Sequence, residues 1–419
     1  MISKKVNEII LYFSIFFLNI FVKLNLSFFT ALILFINLRK VKKIYTRKVL
    51  KKIIILSKSG GLEDIISAYS QYEKYNKFGY YTMPRILIKK IFIEFLKNEN
   101  YKDFVTIDFN ENVKKKKIKY KIFLKKVFFN LNKFWCFDAV IGFNPFYYAE
   151  HDLAEPIKNI GKKFLVIHKE SLNTEQGNID DIKIYKNLNK KHFADKVAVY
   201  SEYEKKKLID TNFLEPNQVE VTGCARSSNC FKIRNIKPLK NKVVYFMIVV
   251  EGPKSIKWSN LANSTIKYLI EYAYSHPLIN IVFKGKRGVH SIKDLPNDLP
   301  PNCSFELLTD AQELLTKTKV VICFNSTILF EAIMANREII IPSFKVNRTK
   351  FKKFIYKSPN FFANSKEFFF HMLDRKINKP YKLKKLSKKE KECVDYYLGN
   401  ADGKASIRLK KFIEKNLQL

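Results

Sequence analysis

The stretch VVICFNSTILFEAIMANREIIIPSF, residues 320–344, decides the fold. A β-branched apolar run leads into the polar turn Asn-Ser-Thr, then into an apolar helical segment, and then into a second β-branched run that ends in proline. Strand, helix and strand in this order are typical of a parallel sheet buried on both faces. The stretch therefore predicts a Rossmann-like α/β domain in the second half of the chain.

The same alternation extends outward from this stretch in both directions. Short apolar runs separated by longer mixed segments predict strands at residues 53–57, 104–107, 139–143, 164–168, 196–200, 219–222, 243–250, 279–284, 305–308, 320–324 and 339–342. A lysine-rich stretch with a proline, residues 235–242, interrupts the series and indicates a domain boundary. We therefore expect a first Rossmann-like domain at 49–238, a second at 239–386 and a closing helical segment at 387–419.

Composition sets broad limits on function. The chain has 419 residues, 47% of them hydrophobic, and a formal net charge of +38. Solvated basic faces would explain the charge, and so would attraction to anionic lipid headgroups or anionic glycans. No zinc-finger spacing, RNA-binding aromatic signature or arginine stripe is present, so no nucleic acid partner is expected. The six cysteines are scattered and predict neither a zinc site nor a disulfide framework.

The N-terminal region, residues 1–48, is predicted to be a membrane anchor. Residues 9–38 are almost all apolar, and basic residues precede and follow them. The length suffices to cross a bilayer, but Lys23 in the middle argues against one clean span. Two half-length helices in the interface would let that lysine reach water. The alternative is an apolar hairpin packed on the globular body. The heavier basic cluster after the run predicts the cytoplasmic face of the inner membrane.

The turn at residues 325–327 is the first candidate site. Asn325 and Ser326 are good helix caps, and free backbone amides at a helix start can also bind phosphate. Glu331 lies one turn after Thr327 on the same helix face and needs a polar partner. Ribose hydroxyls would serve, and so would the helix dipole or a nearby lysine.

This combination of strand, Asn-Ser-Thr, helix with Glu-Ala and second strand ending in Pro resembles the donor-binding segment of GT-B glycosyltransferases. Capsule transferases and teichoic-acid glycerophosphotransferases contain similar segments. The resemblance implies that Ser326 and Thr327 contact the donor phosphates and that Glu331 contacts the ribose. It also implies a GT-B-like pair of Rossmann-like domains.

Three further segments extend the resemblance. VEVTGCAR at 219–226 resembles the strand and Gly-x-x-Arg element that ends the first domain in this class, which implicates Arg226. INIVFKGK at 279–286 resembles a strand ending in Lys-x-His, but the His is missing, and Lys284, Lys286 and Arg287 are the groups left to meet a phosphate, with a plain surface charge as the alternative for Lys284. YLGNADGKASIRLKKFI at 397–413 resembles the closing segment of surface-carbohydrate proteins.

The first half is expected to supply the acceptor site and a catalytic base, since a sugar hydroxyl needs a His or a carboxylate to take its proton. Glu170 is the first choice, because it follows a predicted strand and resembles the His-x-Glu turn of the same proteins. His168 and Asp64 are the other candidates, with a packed histidine or a helix-cap carboxylate as the structural alternatives. Gly60 and Gly61 would let the backbone approach a ligand closely. Nothing in the sequence requires a metal.

The sequence therefore predicts a metal-independent glycosyltransferase of capsule, O-antigen or lipopolysaccharide biosynthesis. Its partners would be a nucleotide-sugar donor, a lipid-linked or capsular glycan acceptor and an anionic membrane surface, with no cofactor besides the donor. Two alternatives remain, a nucleotide-sugar 2-epimerase of the same fold and a noncatalytic membrane-associated scaffold.

Overall fold

The computed structural model describes residues 2–44, 49–58, 60–70, 76–97, 111–169, 179, 182–183, 185–186, 192–249, 255–324, 326–344 and 361–417, with the backbone alone described at 2–5, 148 and 255–257. The chain forms two compact units. The first comprises Met1–Ser171, Asn178–Arg226 and Lys404–Leu419, and the second is built mainly from Ser227–Gly403.

The first unit contains a seven-stranded sheet. Its strands are β1 Arg39–Lys40, β2 Lys51–Ser57, β3 Phe78–Pro84, β4 Ala139–Gly142, β5 Lys163–Ile167, β6 Lys196–Val199 and β7 Val219–Val221. Their order is β1-β3-β2-β4-β5-β6-β7, and every pairing is parallel except that of β1 with β3. The strand order reverses between β2 and β4, and ligands of such sheets bind at the carboxyl ends of the strands at this reversal.

The helices of the first unit are α1 Ile2–Lys23, α2 Ser27–Ile36, α3 Gly61–Tyr69, α4 Arg85–Phe95, α5 Glu111–Phe134, α6 Tyr148–His151, α7 Ala154–Lys158, α8 Glu202–Asp210 and, from the C-terminus, α15 Ala405–Leu417. They cover the sheet on both faces. Alternate residues of β2 point to opposite faces and so reach two different cores. Ile54 and Leu56 pack into a core that includes α1, α2, α4 and α5, whereas Ile53 and Ile55 pack with α3 and α15.

The second unit has a six-stranded parallel sheet made of β8 Lys242–Phe246, β9 Asn280–Lys284, β10 Cys303–Glu306, β11 Val320–Ile322, β12 Glu338–Pro342 and β13 Phe362–Ala363. The order β10-β9-β8-β11-β12-β13 is the 3-2-1-4-5-6 order of Rossmann folds. Its helices are α9 Asn229–Ile233, α10 Ser255–Ser275, α11 Ala311–Lys317, α12 Ile328–Met334, α13 Lys366–Asn378 and α14 Lys388–Leu398.

The predicted α/β fold with two Rossmann-like domains is confirmed. Ten of the eleven predicted strands correspond to β2 and β4–β12, and the predicted strand at 104–107 lies outside the described residues. Strand β3 is not predicted from the sequence, because its aromatic run contains a glycine and ends in proline, and the two-residue strands β1 and β13 are not predicted either.

The division into units differs from the predicted boundaries. The first unit gives way to the second between Arg226 and Ser227 instead of at 238, and the segment 387–419 does not act as one closing helix. Its helix α14 belongs to the second unit, where Tyr397 stacks on Phe330 of α12. Helix α15 belongs to the first unit, where Leu409 and Phe412 are buried against α3 and the sheet.

The apolar N-terminal region forms two helices in succession, α1 and α2. Between them Asn25 adopts φ of 54°, a left-handed conformation that asparagine tolerates and that lets the chain turn. In the part of the chain that the structure describes, one helix, over Val6–Lys23, is by length and composition apolar enough to cross a membrane. Both helices also pack one face on the globular body, as in the alternative considered above. Leu18, Val22 and Leu34 are buried in the same core as α4 and α5.

Candidate functional site

The second unit contains a cavity at the carboxyl ends of β8 and β9. Its volume is about 320 Å³, at the lower end of the range of small-molecule sites. Strand β8 is also one of the two strands between which the order reverses, so the cavity lies where Rossmann-type sheets bind ligands. The apolar part of its wall comprises Tyr245, Met247, Ile248, Ala262, Ile266 and Val289, and the polar part comprises Ser259, Asn263, His290 and Asp294.

His290 fixes one wall of this cavity. Its Nδ1 accepts a hydrogen bond of 3.0 Å from the backbone N–H of Lys286, so Nδ1 carries no proton. Its Nε2 lies 3.1 Å from the carbonyl oxygen of Ile248 and, as the protonated nitrogen of the neutral ring, donates to it. The ring thereby joins the loop after β9 to the end of β8. Since both nitrogens are used, His290 shapes the cavity and is not a free proton acceptor.

The Asn-Ser-Thr turn follows β11, the strand next to β8. Asn325 lies outside the described residues, and Ser326 and Thr327 are partly exposed. Thr327 is the residue before α12, and its carbonyl accepts the N–H of Glu331, which places both residues on one helix face as predicted. Glu331 is only 5% exposed, in a seven-residue helix whose residues are all buried.

The predicted donor residues and the cavity are adjacent but distinct. Among the described residues, none of Ser326, Thr327 and Glu331 lines the cavity. An aromatic contact connects the two places, because the Trp258 ring on α10 lies 4.6 Å from that of Phe324, just before the turn. Ser259, the next residue of α10, lines the cavity wall.

Lys284 ends β9 with its ammonium group directed at backbone carbonyls. Nζ donates to the oxygens of Gly285 and Leu307 at 2.9 and 3.0 Å. Burial, followed by repulsion from Arg287, lowers the pKa of Lys284. These bonds use two of its three donors. A contact from Lys284 to a donor phosphate stays a prediction.

In the first unit, Asp64 ties together the loop after β2 and the segment after β7. Its Oδ2 accepts hydrogen bonds from Tyr200 Oη at 2.6 Å and from Arg226 Nη1 at 2.9 Å, and its Oδ1 accepts the Arg226 backbone N–H at 2.8 Å. Arg226 Nη1 also donates to the Gly60 carbonyl at 2.8 Å. Asp64 is fully buried.

This arrangement corrects the prediction for Asp64. A carboxylate that is fully buried and bonded to an arginine and a tyrosine has no lone pair directed at an acceptor hydroxyl, so Asp64 is a structural residue. The guanidinium of Arg226 is likewise held by protein groups, and 17% of its side chain is exposed. A role for Arg226 in donor binding therefore stays a prediction.

The two positions after β2, Gly60 and Gly61, need glycine for different physical reasons. Gly60 has φ of +84°, which side chains rarely adopt, and a Cβ there would lie 3.3 Å from Arg226 Nη1. At Gly61 a Cβ would lie 2.2 Å from the Phe143 ring. Gly61 is therefore required because a side chain there would clash with Phe143, which follows β4, and not because a ligand approaches the backbone. At Gly60, close approach of the backbone to a ligand stays a prediction.

The structure also corrects the prediction for His168. Its Nε2 lies 3.2 Å from Glu204 Oε1, and the histidine is fully buried. Lys207 Nζ lies 2.8 Å from the other Glu204 oxygen. Burial acts to raise the pKa of Glu204, but the hydrogen bond and charge of His168, with Lys207, outweigh it and lower that pKa. His168 belongs to a buried ionic cluster and cannot reach an acceptor. Glu170, the first choice for the base, lies outside the described residues.

Glu150 is a further buried carboxylate of the first unit, in an ion pair that is not predicted from the sequence. It lies on α6, after the carboxyl end of β4 at the strand-order reversal, and pairs with Arg85 Nε. It is 2% exposed, and burial raises its pKa against the opposing charge of Arg85. The guanidinium of Arg85 in turn lies 3.4 Å from the centre of the Tyr147 ring. No pattern around Glu150 in the sequence indicates this pairing, because Arg85 is far away along the chain.

The polar lining of the cavity was also missed in the sequence. Ser259 and Asn263 are four residues apart on one face of α10, and that spacing next to the end of β8 is a signal that could have indicated them. His290 follows β9 by six residues, beyond Gly285 and Gly288. The resemblance places a histidine two residues after Lys284. In this chain the glycine-containing turn after β9 brings His290 to the cavity instead.

The sequence matches no protein-family model, and comparison with curated proteins finds no significant match. Among solved structures, the chain is similar to a UDP-GlcNAc 2-epimerase from Neisseria meningitidis (TM-score 0.49, 11% identity, 88% of this chain and 99% of that one). It is also similar to a trehalose-6-phosphate synthase (0.49, 11%, 88% and 99%) and to a glycosyltransferase from Rickettsia africae (0.46, 14%, 88% and 98%). At these identities and TM-scores the likeness assigns no activity, substrate or site residue to this chain.

The class that the fold defines is an α/β protein of two Rossmann-like units, with a cavity at the strand-order reversal of the second unit.

Proposed function

We propose that this chain is a GT-B-type glycosyltransferase that takes a nucleotide-sugar donor in its second unit. The observation that supports this most is the cavity of about 320 Å³ at the strand-order reversal of a sheet with 3-2-1-4-5-6 order. Its apolar walls suit the flat face of a nucleobase, and its few polar groups would orient the nucleoside.

The turn after β11 is the proposed diphosphate site. Ser326 and Thr327 are partly exposed at the end of the strand beside β8, and their hydroxyls can donate to phosphate oxygens. Lys284 would add positive charge from β9. Glu331 is the proposed ribose partner, in keeping with the resemblance that its segment shows.

The first unit is proposed to bind the acceptor, with Glu170 as the base that takes the hydroxyl proton. The proposed acceptor is a lipid-linked or capsular glycan, and the proposed role is in surface polysaccharide biosynthesis at the cytoplasmic face of the membrane. The leaving diphosphate would be stabilised by backbone amides and basic side chains without a metal ion.

Donor binding can be tested by the thermal stability of the full chain with UDP-, GDP-, CMP- and CDP-sugars. A ligand at about a hundred times its Kd adds about 2.7 kcal/mol to the free energy of unfolding. One nucleotide class is expected to stabilise the protein. Asn263→Leu, in the cavity wall, should lower the affinity for that nucleotide-sugar about tenfold, because a hydrogen bond to it is lost.

Asn260→Leu is the matched control, since Asn260 is exposed on the same helix and is not part of the cavity lining. Equal weakening by both variants would contradict the proposed position of the donor. No stabilisation by any nucleotide would favour a scaffold protein. Conversion of the donor into its nucleotide-linked 2-epimer, without an acceptor, would favour an epimerase.

A further inference from the structure

A continuous series of aromatic rings crosses three helices of the first unit. Neighbouring rings lie 5.3 to 6.1 Å apart along the sequence of contacts Phe16, Phe17, Phe21, Phe29, Phe28 and Phe134. The first three residues belong to α1, the next two to α2 and the last to α5. We call the surface that these six residues form the aromatic face.

Most of the aromatic face is exposed. Phe16 is 58% exposed and Phe28 is 53% exposed, and Tyr12 of α1 and Leu24 of the turn after it are further large apolar side chains that are exposed. Contiguous apolar patches of this kind are rare on soluble monomers and mark protein or membrane interaction sites. The fold itself does not use these side chains, because α1 and α2 pack on the unit with their opposite faces.

The packed faces of α1 and α2 hold them to the unit. Leu18 and Leu34 are fully buried in the core shared with α4 and α5. Asn37 Nδ2, after α2, donates to Ser14 Oγ of α1 at 2.7 Å in a buried hydrogen bond. If α1 crossed a bilayer as a separate helix, this bond would break and the packed side chains would leave the core. The two helices are thus suited to lie along a surface, with one face on the protein and the other outward.

Helix α5 also exposes apolar residues, with lysines among them, on its own side away from the core. Ile118, Ile122 and Phe129 are exposed at spacings of four and seven residues, and so share one face. Lys119 and Lys126 are exposed beside them, and Lys133 Nζ lies 4.7 Å from the centre of the Phe129 ring. Apolar groups interleaved with lysine are the pattern of helices that lie in the interface of anionic membranes.

We propose that the aromatic face and the exposed side of α5 lie in the interfacial layer of an anionic lipid bilayer, with α1 and α2 parallel to its plane. The aromatic rings insert among the upper acyl chains, and the lysines of α5 meet the headgroups. The inference does not depend on the transfer reaction, since it rests on residues that no part of the donor site uses.

The charges of α5 favour a bilayer over a second copy of the chain. In a two-fold dimer through this face, the same lysine-bearing surface would be present on both copies, and like charges across an interface are unfavourable. An anionic bilayer supplies the opposite charge, and each lysine near such a surface strengthens binding.

The proposal can be tested by co-sedimentation of the full chain with vesicles of phosphatidylcholine alone or of equimolar phosphatidylcholine and phosphatidylglycerol. We expect binding to the anionic vesicles that weakens with added salt. The triple variant Phe16→Ser, Phe28→Ser, Phe129→Ser should reduce the partition coefficient at least about a hundredfold. The double variant Lys125→Glu, Lys126→Glu, at two adjacent exposed lysines of α5, should reduce it at least about tenfold.

Matched controls come from the second unit. Tyr274, Leu278 and Leu308 are at least as exposed as the three phenylalanines, and their triple serine variant should bind vesicles as the native chain does. Lys388→Glu, Lys389→Glu reverses two adjacent exposed helical lysines as a control for charge. Unchanged far-ultraviolet circular dichroism and melting temperature would show that each variant folds.

Three results would overturn the proposal. They are no binding to anionic vesicles, equal binding by the aromatic variant and its control, and a dimer in sedimentation velocity that only the aromatic variant dissociates while vesicles are not bound.

The depth of α1 in the bilayer distinguishes an in-plane helix from a spanning one. A fluorophore on Phe16→Cys, with the exposed Cys136 replaced by serine, should be quenched best by lipids that carry the quencher near the headgroup. Stronger quenching from the ends of the acyl chains would mean a spanning helix and would overturn the in-plane arrangement.

Discussion

Buried ionisable residues in the first unit keep distant segments in register. Asp64 joins the loop after β2 to Tyr200 and to Arg226, residues more than a hundred positions away. His168, Glu204 and Lys207 do the same between β5 and α8. Charges without water need partners of this kind, and removing one partner from a buried pair typically costs about 3–5 kcal/mol. These polar residues near strand ends therefore stabilise the fold of the first unit.

His192 belongs to another buried group, and its environment makes the free energy of unfolding depend on pH. It is 2% exposed, and burial, followed by repulsion from His151, lowers its pKa well below the ordinary value near 6.5. The folded chain therefore keeps His192 neutral where the unfolded chain takes up a proton. Stability contributed by neutral His192 is fully present above about pH 6.5 and is lost as the pH falls below it.

We predict that the free energy of unfolding falls on acidification from about pH 6.5 to 5, and that His192 contributes about 1.4 kcal/mol per pH unit. Asn at this position can still accept the N–H of Ala194, which His192 Nδ1 accepts at 3.0 Å. His192→Asn should therefore remove this part of the slope in urea unfolding. The control His371→Asn, at an exposed position, should keep it. An unchanged slope in His192→Asn would contradict the assignment.

Asp152 acts in a different pH range. Burial acts to raise its pKa, but Lys117 and His151 outweigh burial and hold the pKa at about 2. Stability from this depressed acid is present above the unfolded value near 4 and is lost as the pH falls toward about 2. The contribution of His192 is therefore separable from that of Asp152.

At the scale of elements, α2 shows two leucines in opposite environments. Leu34 is fully buried, whereas Leu32 is 38% exposed on the side that carries the aromatic face. We predict that Leu34→Ala lowers the free energy of unfolding by about 2–5 kcal/mol, since it leaves a cavity in the core. Leu32→Ala should change it by no more than about 0.5 kcal/mol in the absence of lipid.

The comparison is made by urea unfolding of both variants in lipid-free buffer. Since both changes remove the same atoms from the same helix, their difference measures the environment alone. Equal losses of stability would mean that α2 does not pack with one face on the unit. In the presence of anionic vesicles, Leu32→Ala should instead show weaker membrane binding.

At the scale of the whole molecule, we propose that the transfer reaction needs no metal ion, because other groups can take over the stabilisation of charge. Basic side chains are abundant, with 77 Lys and Arg against 39 Asp and Glu. Such charges and backbone amides can stabilise a leaving diphosphate.

We therefore predict that EDTA leaves the transfer of sugar from the donor identified by thermal stability unchanged, and that added Mg²⁺ or Mn²⁺ raises it less than about twofold. The measurement is release of the nucleoside diphosphate in the presence of a glycan acceptor. Loss of turnover with EDTA and its recovery with Mn²⁺ would contradict the metal-independent mechanism, while leaving the position of the donor cavity untouched.

The sequence by itself determined the fold class. Buried parallel strands are continuous β-branched runs, so the pattern of residues 320–344 and its repeats located ten strands. It also located the apolar N-terminal helices and the turn after β11. Each of these features is local, because a short window of residues shows whether a segment can be buried.

Only the tertiary structure decided which polar residues pair and where a cavity remains. It enclosed His168 and Asp64, paired Glu150 with Arg85, and placed Ser259 and His290 around one space. It also left one face of α1 and α2 exposed while burying the other. Pairing and burial depend on which segments meet in three dimensions, and residues far apart in the chain carry no local signal of that meeting.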